Sequence, residues 1–450
     1  MTEPRFGLMT DAPATLLVAG VRVIDPGVGT DAVRDFALYD GVVVDPGSMP
    51  SGAERIDGRG LVMAPGFVDL HTHLREPGDE GAETIDSGAR AGARGGFTTL
   101  CAMPNTDPAP DDAARVAWVT ARAAGASCRV RVIGAVTRGR GGESLADLEE
   151  LGAAGVVGVS DDGASVPTAL VRDAMATLAA LGLPFIEHAE DPSLAAGSVV
   201  REGAVATRLG LAGWPAEAEA AIVERDIALA AETGTRLHLT HLSTRRAVEA
   251  VRRAKARGVA VTADVSPHHL ALTDAWVAGS RRFAWEEANG HAVVPERAYD
   301  GNGRVNPPLP ARDDALALLE GLRDGTIDAI ATDHAPHPPE RKLVPFGQAA
   351  PGLIGLETAL SLGLAAVQAG QLGLTTLLAA LSARPAAVIG EHRSSKLGGV
   401  ADIVVFDPEA SWRVEPSALA SRSSNTPLLG MELPGVVRLT VADGRVTYRS

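Results

Sequence analysis

Lysine is nearly absent from this chain: it stands only at Lys255, Lys342 and Lys396. No chemistry that needs a lysine can be built upstream of Lys255. Cysteine is scarce too. Cys101 and Cys128 are too few for a disulfide framework and read as two reduced thiols of a cytoplasmic protein. Positive charge is in deficit, with 41 Lys+Arg against 56 Asp+Glu and a formal net charge of −15. That balance argues against the basic face that nucleic acid demands and against anionic membrane surfaces. No apolar run reaches the roughly 18 residues of a membrane span. The opening stretch "MTEPRFGLMTDAPATLLVAG" lacks the basic start and long apolar segment of a signal peptide, so none is expected.

Apolar material and length are both ample. Hydrophobic residues make up 46% of 450, enough for a large core in one large domain with an accessory part, or in two to three ordinary domains. Between residues 63 and 394, short apolar runs alternate with Ala-rich helical stretches. The runs are "GFVDLHTHL", "FTTLCAMPN", "RVRVIGAVT", "GVVGVSDDG", "LPFIEHAED", "RLHLTHLST", "VAVTADVSP" and "IDAIATDHAP", eight in all. Several are apolar without alternation, as strands covered on both faces by helices are. Candidate helices such as "DDAARVAWVTARAA" and "AEAEAAIVERDIALAAETG" lie between them, the second closing on Thr-Gly, a helix stop. The pattern predicts an α/β fold, a (β/α)8 TIM-type barrel over residues 63–394.

The flanks differ in texture. "TLLVAGVRVIDPG", "RIDGRGLVMAPG", "ADIVVFDPE" and "GVVRLTVADGRVTYRS" are short strand-like runs with Gly and Pro turns, and Asp443-Gly444 is a hairpin signal. Residues 1–62 and 395–450 are expected to pair into a small β-sandwich domain built from both termini. Residues 271–303 read as an irregular insertion before the last strand, and 335–354 as a long loop over the barrel mouth.

In a strand, residues i and i+2 face the same side. His71 and His73 in "DLHTHL" therefore point together near the C-terminal end of the first strand, where barrels build their sites. Alone, this pair favours a structural reading. The other strand ends reverse it: Asp161-Asp162-Gly163, Glu187-His188, His238-Leu239-Thr240-His241 and Asp333-His334. Histidine occurs 11 times in the chain, yet most copies gather at the same end of the strands. Imidazole with carboxylate suits Zn²⁺ and related ions. A His/Asp set with an open position is what metal-activated water requires.

The segments "DLHTHLREPG", "GGFTTLCAMPNTDP", "SDDG", "EHAED", "LHLTHLST", "VNPPL", "ATDHAPH" and "GLIGLET" resemble the cyclic amidohydrolases, and among them the bacterial class I dihydroorotases. The likeness runs in order to the C-terminus and includes "SSNTPLLG". It implies reversible, metal-dependent cyclisation of N-carbamoyl-L-aspartate to L-dihydroorotate in de novo pyrimidine (UMP) biosynthesis. It also implies one or two Zn²⁺ per subunit, with two expected. The partners it implies are the small-molecule substrate, a homodimer and a complex with aspartate transcarbamoylase.

By the same resemblance, His71, His73, Asp161, His188, His241 and Asp333 are metal ligands, and Asp333 carries the proton. Arg75, Asn105 and His337 grip the substrate's α-carboxylate. Asn306 meets the ring amide, and Pro351 and Gly352 offer backbone hydrogen bonds. Hydantoinases and allantoinases usually bridge two metals with a carbamylated lysine on the fourth strand. This chain has no lysine there, and Asp161 stands in that place. A neutral ring would also not need the permanently charged fork of Arg75. A non-catalytic scaffold is the alternative from another class, disfavoured by the complete ligand set.

The remaining candidates have plainer readings. Asp162 is a loop or cap aspartate, with an exchange of roles with Asp161 left open. His238 faces away and packs or supports a ligand. His268, His269 and His334 are structural by default, and Cys101 belongs to the core. Pro310 stands where family members usually carry arginine, and the next arginine is Arg312.

Overall fold

All eight central runs become parallel strands. They are Phe67–Thr72, Phe97–Ala102, Arg129–Val132 continued by Gly134–Ala135, Val159–Ser160, Phe185–Glu187, Leu237–Leu239, Val261–Val265 and Ala329–Ile330. The computed structural model describes residues 12–164, 166–287 and 293–450. The first, second, fifth and sixth strands are buried at every position, which is why their sequences show no polar alternation.

These strands lie in two sheets that meet in the third strand. The first three form one sheet, and Gly134–Ala135 leads a six-stranded sheet that ends at Ala329–Ile330. Ile133 makes the handover: its N–H donates to Ala102 O at 3.1 Å, and the next N–H, of Gly134, donates to Gly158 O at 3.0 Å. At the other margins the first and eighth strands approach. Thr72 forms a parallel bridge with His334, and His73 N–H donates to His334 O at 2.9 Å. Asp69 adds a side-chain tie, accepting from Thr332 N–H at 2.9 Å.

The covering helices begin and end where local chemistry directs. Ala113–Arg122 starts after Asp112, whose carboxylate accepts from Arg115 N–H. Ala216–Thr233 stops at Gly234, which takes φ 76°, a conformation cheap only for glycine. Their apolar faces share one core with the strands, including Leu100, Met175, Leu178, Leu237, Val248 and Leu318.

The two ends of the chain do pair. Strands Leu16–Asp25, Thr30–Tyr39, Val42–Val44, Glu54–Asp57 and Val62–Pro65 join Ile403–Arg413, Glu432–Ala442 and Arg445–Arg449. Where the sequence leads to a sandwich, these strands hydrogen-bond into a single eight-stranded sheet. Its core holds Val18, Val23, Phe36, Met63, Ile403, Val405 and Val441. Val62–Pro65 pairs antiparallel with Ile403–Phe406, so the terminal sheet runs past the expected boundary at residue 62. Asp443 and Gly444 take φ 51° and 73° between the paired residues Ala442 and Arg445, the primed hairpin turn that Asp-Gly favours.

The insertion at 271–303 is held by Trp276, buried with Leu272, Val305, Leu353 and Leu362. Its residues 288–292, like residues 1–11 of the opening stretch, lie outside the described residues. The loop at 335–354 contains two short turns of helix, Pro339–Lys342 and Phe346–Gln348. Among the described residues no helix is long and apolar enough to cross a membrane.

Candidate active site

The site lies at the C-terminal ends of the parallel strands, and its centre is Asp162. His71 Nε2 stands 3.4 Å from Asp162 Oδ1, and His73 Nε2 stands 3.7 Å from Oδ2. His188 Nδ1 and His241 Nε2 approach Oδ1 at 3.5 and 3.7 Å. Two groups of donor atoms result, His71/His73/Asp162 and Asp162/His188/His241, each lying within 4.8 Å of one another. Asp162 belongs to both groups. Asp333 closes the first group, its Oδ1 lying 3.1 Å from His73 Nε2 and 3.5 Å from His71 Nε2.

Asp162, where Asp161 was expected, therefore stands among the donor atoms at the end of the fourth strand. The Asp161 carboxylate turns to the end of the third strand, where it accepts from Val136 N–H at 2.8 Å, Thr137 N–H at 3.2 Å and the Thr137 hydroxyl. The two environments are opposite electrically. Burial pushes Asp161 above its ordinary value despite the Thr137 hydrogen bonds. Burial also opposes ionisation of Asp162, but His71, His188 and His241 outweigh it and hold that carboxyl well below the usual range.

The hydrogen-bond pattern shows that the residues fit a metal ion. Thr240 Oγ1 lies 3.1 Å from Asp264 Oδ2 and 2.7 Å from His71 Nδ1. The carboxylate can only accept, so the hydroxyl proton goes to Asp264 and the hydroxyl accepts the His71 Nδ1–H. His71 Nε2 is left buried without a hydrogen-bond partner, and Asp162 Oδ1 is likewise unpartnered. Burial disfavours charge on His71, but Asp162 and Asp333 more than offset it and push its pKa up to about 9. The cluster calls for positive charge at its centre, and a divalent cation supplies it. His73 is prepared in the same way: its Nδ1–H donates to Asn105 Oδ1 at 2.7 Å, which turns Nε2 toward the carboxylates.

His71 orientation thus depends on Thr240, a residue that sequence patterning passes over. Thr240→Val keeps the shape and removes the acceptor. Metal affinity, measured by competition with a chromophoric chelator, is expected to fall about 10- to 100-fold, as for other groups that orient a ligand.

Three of these residues hold unusual backbone angles. Arg75, His241 and Asp333 have φ 60°, 38° and 47°, each a cost of order 1–3 kcal/mol for a non-glycine residue. At His241 the strain is held by its N–H donating to Asp264 Oδ1 at 2.7 Å. Asp264 also accepts from His238 Nε2 at 2.8 Å, so His238 supports the site from behind, as its place in the strand suggests.

The cluster floors a cavity of about 260 Å³ whose rim carries Arg75, Asn105, Asn306, His337, Pro351 and Gly352. The structure brings all the expected substrate contacts together, but several are already engaged. Asn105 also donates from Nδ2 to Asp162 Oδ2 at 3.0 Å, so it braces both His73 and Asp162. Asn306 Nδ2 lies 3.5 Å from His188 Nε2. Backbone groups of Pro351 and Gly352, expected to meet substrate, have partners within the protein. Pro351 O accepts from His337 Nε2–H at 2.8 Å, and Gly352 N–H donates to Arg304 O at 2.9 Å. These residues form the wall and hold His337 in place. Burial, then the charge of Arg75, lowers the His337 pKa to about 3.

Arg75 is the exception. Its guanidinium donates to Pro336 O at 3.2 Å and lies 3.4 Å from His337 Nε2. Among the described residues it makes no ion pair with a carboxylate.

Known proteins share this arrangement of chain. Residues 60–247 match the family model described as Dihydro-orotase-like. A dihydroorotase of Anaeromyxobacter dehalogenans is 47% identical over 439 residues, covering 96% of this chain and 98% of the relative. One of Geobacter metallireducens is 44% identical over 440 residues, covering 96% and 99%. The chain belongs to the dihydroorotase family. Among solved structures, the L-hydantoinase of Arthrobacter aurescens superposes with a TM-score of 0.83 over 97% of this chain and 96% of its own, at 22% identity. That likeness shows the fold alone.

Family membership frames the residues that the motifs did not single out. Asp69, two positions before His71, accepts from His71 N–H at 3.1 Å and from Thr332 N–H. A carboxylate inside an apolar run, on the face of His71 and His73, was its available signal. Arg140 donates to the carbonyls of Asp161 and Asp162, and no motif marks it. His268 and His269 are buried, and His269 Nε2 donates to Pro307 O at 2.9 Å. Cys101 is buried in a cluster with Val68, Leu70 and Ile133, and burial pushes its thiol far above the ordinary range. It is a core residue.

Proposed function

We propose that the protein interconverts L-dihydroorotate and N-carbamoyl-L-aspartate, the ring-closing step of pyrimidine synthesis, at two Zn²⁺ ions. The parallel strands are read as a closed (β/α)8 barrel, because the third strand joins the two sheets and the first and eighth are tied at Thr72 and His334. The barrel is assigned to the chain from Phe67 to residue 394, with the terminal strands, Val62–Pro65 among them, as a separate small β domain.

His71, His73, Asp162 and Asp333 would hold one ion, and His188 and His241 with Asp162 the other. When bound, such ions polarise a carbonyl and acidify water at neutral pH. Asp333 faces the cavity and takes the proton of the attacking water, then returns it to the departing ring nitrogen. Burial works against its ionisation, but His73 and His71 outweigh it, so the carboxylate begins the cycle as a base. Ring closure runs the same transfers in reverse. Arg75 holds the substrate's α-carboxylate while His337 shapes that side of the cavity, which supplies positioning.

One observation carries the choice of substrate: a largely buried guanidinium that faces the cavity without a carboxylate partner. A ring bearing an acid group completes that ion pair, and a neutral hydantoin or allantoin ring does not. Each hydrogen bond to a charged group is worth about 1.5–3 kcal/mol. Arg75→Ala is expected to lower kcat/KM for L-dihydroorotate roughly 100-fold, since 1.4 kcal/mol is tenfold. Any turnover of hydantoin should change little. An equal loss for both rings would sink the role given to Arg75.

The family resemblance extends the reading to a cytoplasmic homodimer that associates with aspartate transcarbamoylase. Sedimentation of the protein alone, and mixed with that enzyme, measures both associations.

A further inference from the structure

Lys342 is buried, 3% exposed, outside the cavity and away from the metal ligands. Burial and then the charge of Arg304 lower its pKa to about 7, so keeping an ammonium there requires compensation. Three carbonyl oxygens provide it: Nζ donates to Ala350 O at 2.6 Å, Gly352 O at 2.8 Å and Arg304 O at 3.2 Å. Those acceptors match the three donors of an ammonium.

A second donor reaches the same carbonyl from a distant part of the chain. Asn425, in "SSNTPLLG", donates from Nδ2 to Gly352 O at 3.1 Å and Ala335 O at 3.0 Å, and its Oδ1 accepts from His337 N–H at 3.0 Å. Asn425 therefore brackets Pro336, gripping the residue on either side of it. The Pro336 carbonyl is the one that accepts from Arg75 Nε. Lys342 likewise brackets Pro351, gripping the carbonyls of Ala350 and Gly352, and the Pro351 carbonyl accepts from His337 Nε2. There is little slack between the two brackets. Gly352 takes φ 128°, and a Cβ there would meet Ala335 Cβ at 2.5 Å.

We propose that Lys342 and Asn425 are positioning residues that together clamp the acid-binding half of the pocket. Each fixes the peptide carbonyl from which an acid-facing side chain hangs, Arg75 from Pro336 and His337 from Pro351. The metal-binding half is built on the strand ends and does not pass through these contacts. The inference rests on the reading of Arg75 as the carboxylate anchor, and it adds residues that touch neither substrate nor metal.

The test compares wild type with Lys342→Met and, separately, Asn425→Ala, so that one variant remains if the other fails to fold. L-dihydroorotate kinetics and bound zinc are measured for each. KM is expected to rise about 10- to 100-fold, the scale of a displaced positioning group. kcat should move far less, and zinc stoichiometry should stay at the wild-type value. Lost metal or a fall in kcat with KM unchanged would mean a general structural role and overturn the clamp. So would an active wild type whose KM both variants match. A wild type without turnover of L-dihydroorotate overturns the functional reading itself, and the clamp's role with it.

Discussion

Asp333→Ala is expected to lower kcat for L-dihydroorotate by roughly 10²- to 10⁴-fold, the range of a lost general acid–base group, while zinc remains bound. The two halves of this expectation come from different contacts. Asp333 lines the cavity, and no other carboxylate on its rim is free for the proton. Asp162, the nearest alternative, sits among four imidazoles. Metal retention follows because His71, His73, Asp162, His188 and His241 all remain. Single-turnover kinetics beside metal analysis separates the outcomes. Activity and zinc lost together would make Asp333 chiefly a ligand. Activity retained would move the proton transfer elsewhere.

The second large effect discriminates between neighbours. Asp162→Ala is expected to lose both ions and all measurable turnover, since both groups of donor atoms share that carboxylate. It would also leave the imidazoles facing one another, with His188 Nδ1 only 3.0 Å from His241 Nε2. Asp161→Ala should keep the metal. Its cost is to folding, because the N–H of Thr137 loses its acceptor inside the protein, while that of Val136 keeps the Ser160 carbonyl at 3.3 Å. A stranded buried donor costs about 1–3 kcal/mol. Zinc content and thermal midpoints of the two variants are enough to decide. Zinc lost from the Asp161 variant and kept by the Asp162 variant would reverse the assignment.

That reversal marks where the sequence ceases to be readable. His71 and His73 were legible because their strand is long enough for alternation to set the facing side, Phe67–Thr72. The fourth strand is only Val159–Ser160. Two residues fix no register, so the facing aspartate depended on the turn that follows, where Gly163 takes φ 73°. Asp443-Gly444 was readable for the opposite reason, since a two-residue primed turn is encoded by its own residues.

The site's supports were the least legible part. Thr240, Asp264, Asn425 and Lys342 act through contacts 24 to 169 residues distant for Thr240 and 73 to 90 distant for Asn425. No local period encodes such links. The rim residues Asn105, Pro351 and Gly352 line the cavity, yet their hydrogen bonds were not foreseeable. Motif position gives the address of a side chain, but its partners depend on how the strand ends converge.

The most direct test of the account is hydrolysis of L-dihydroorotate by the purified, zinc-loaded protein, assayed beside hydantoin and allantoin. The account predicts turnover of L-dihydroorotate with little or none of the neutral rings. Turnover of hydantoin or allantoin in its place would contradict the reading of Arg75 as a carboxylate anchor, and with it the assignment of substrate.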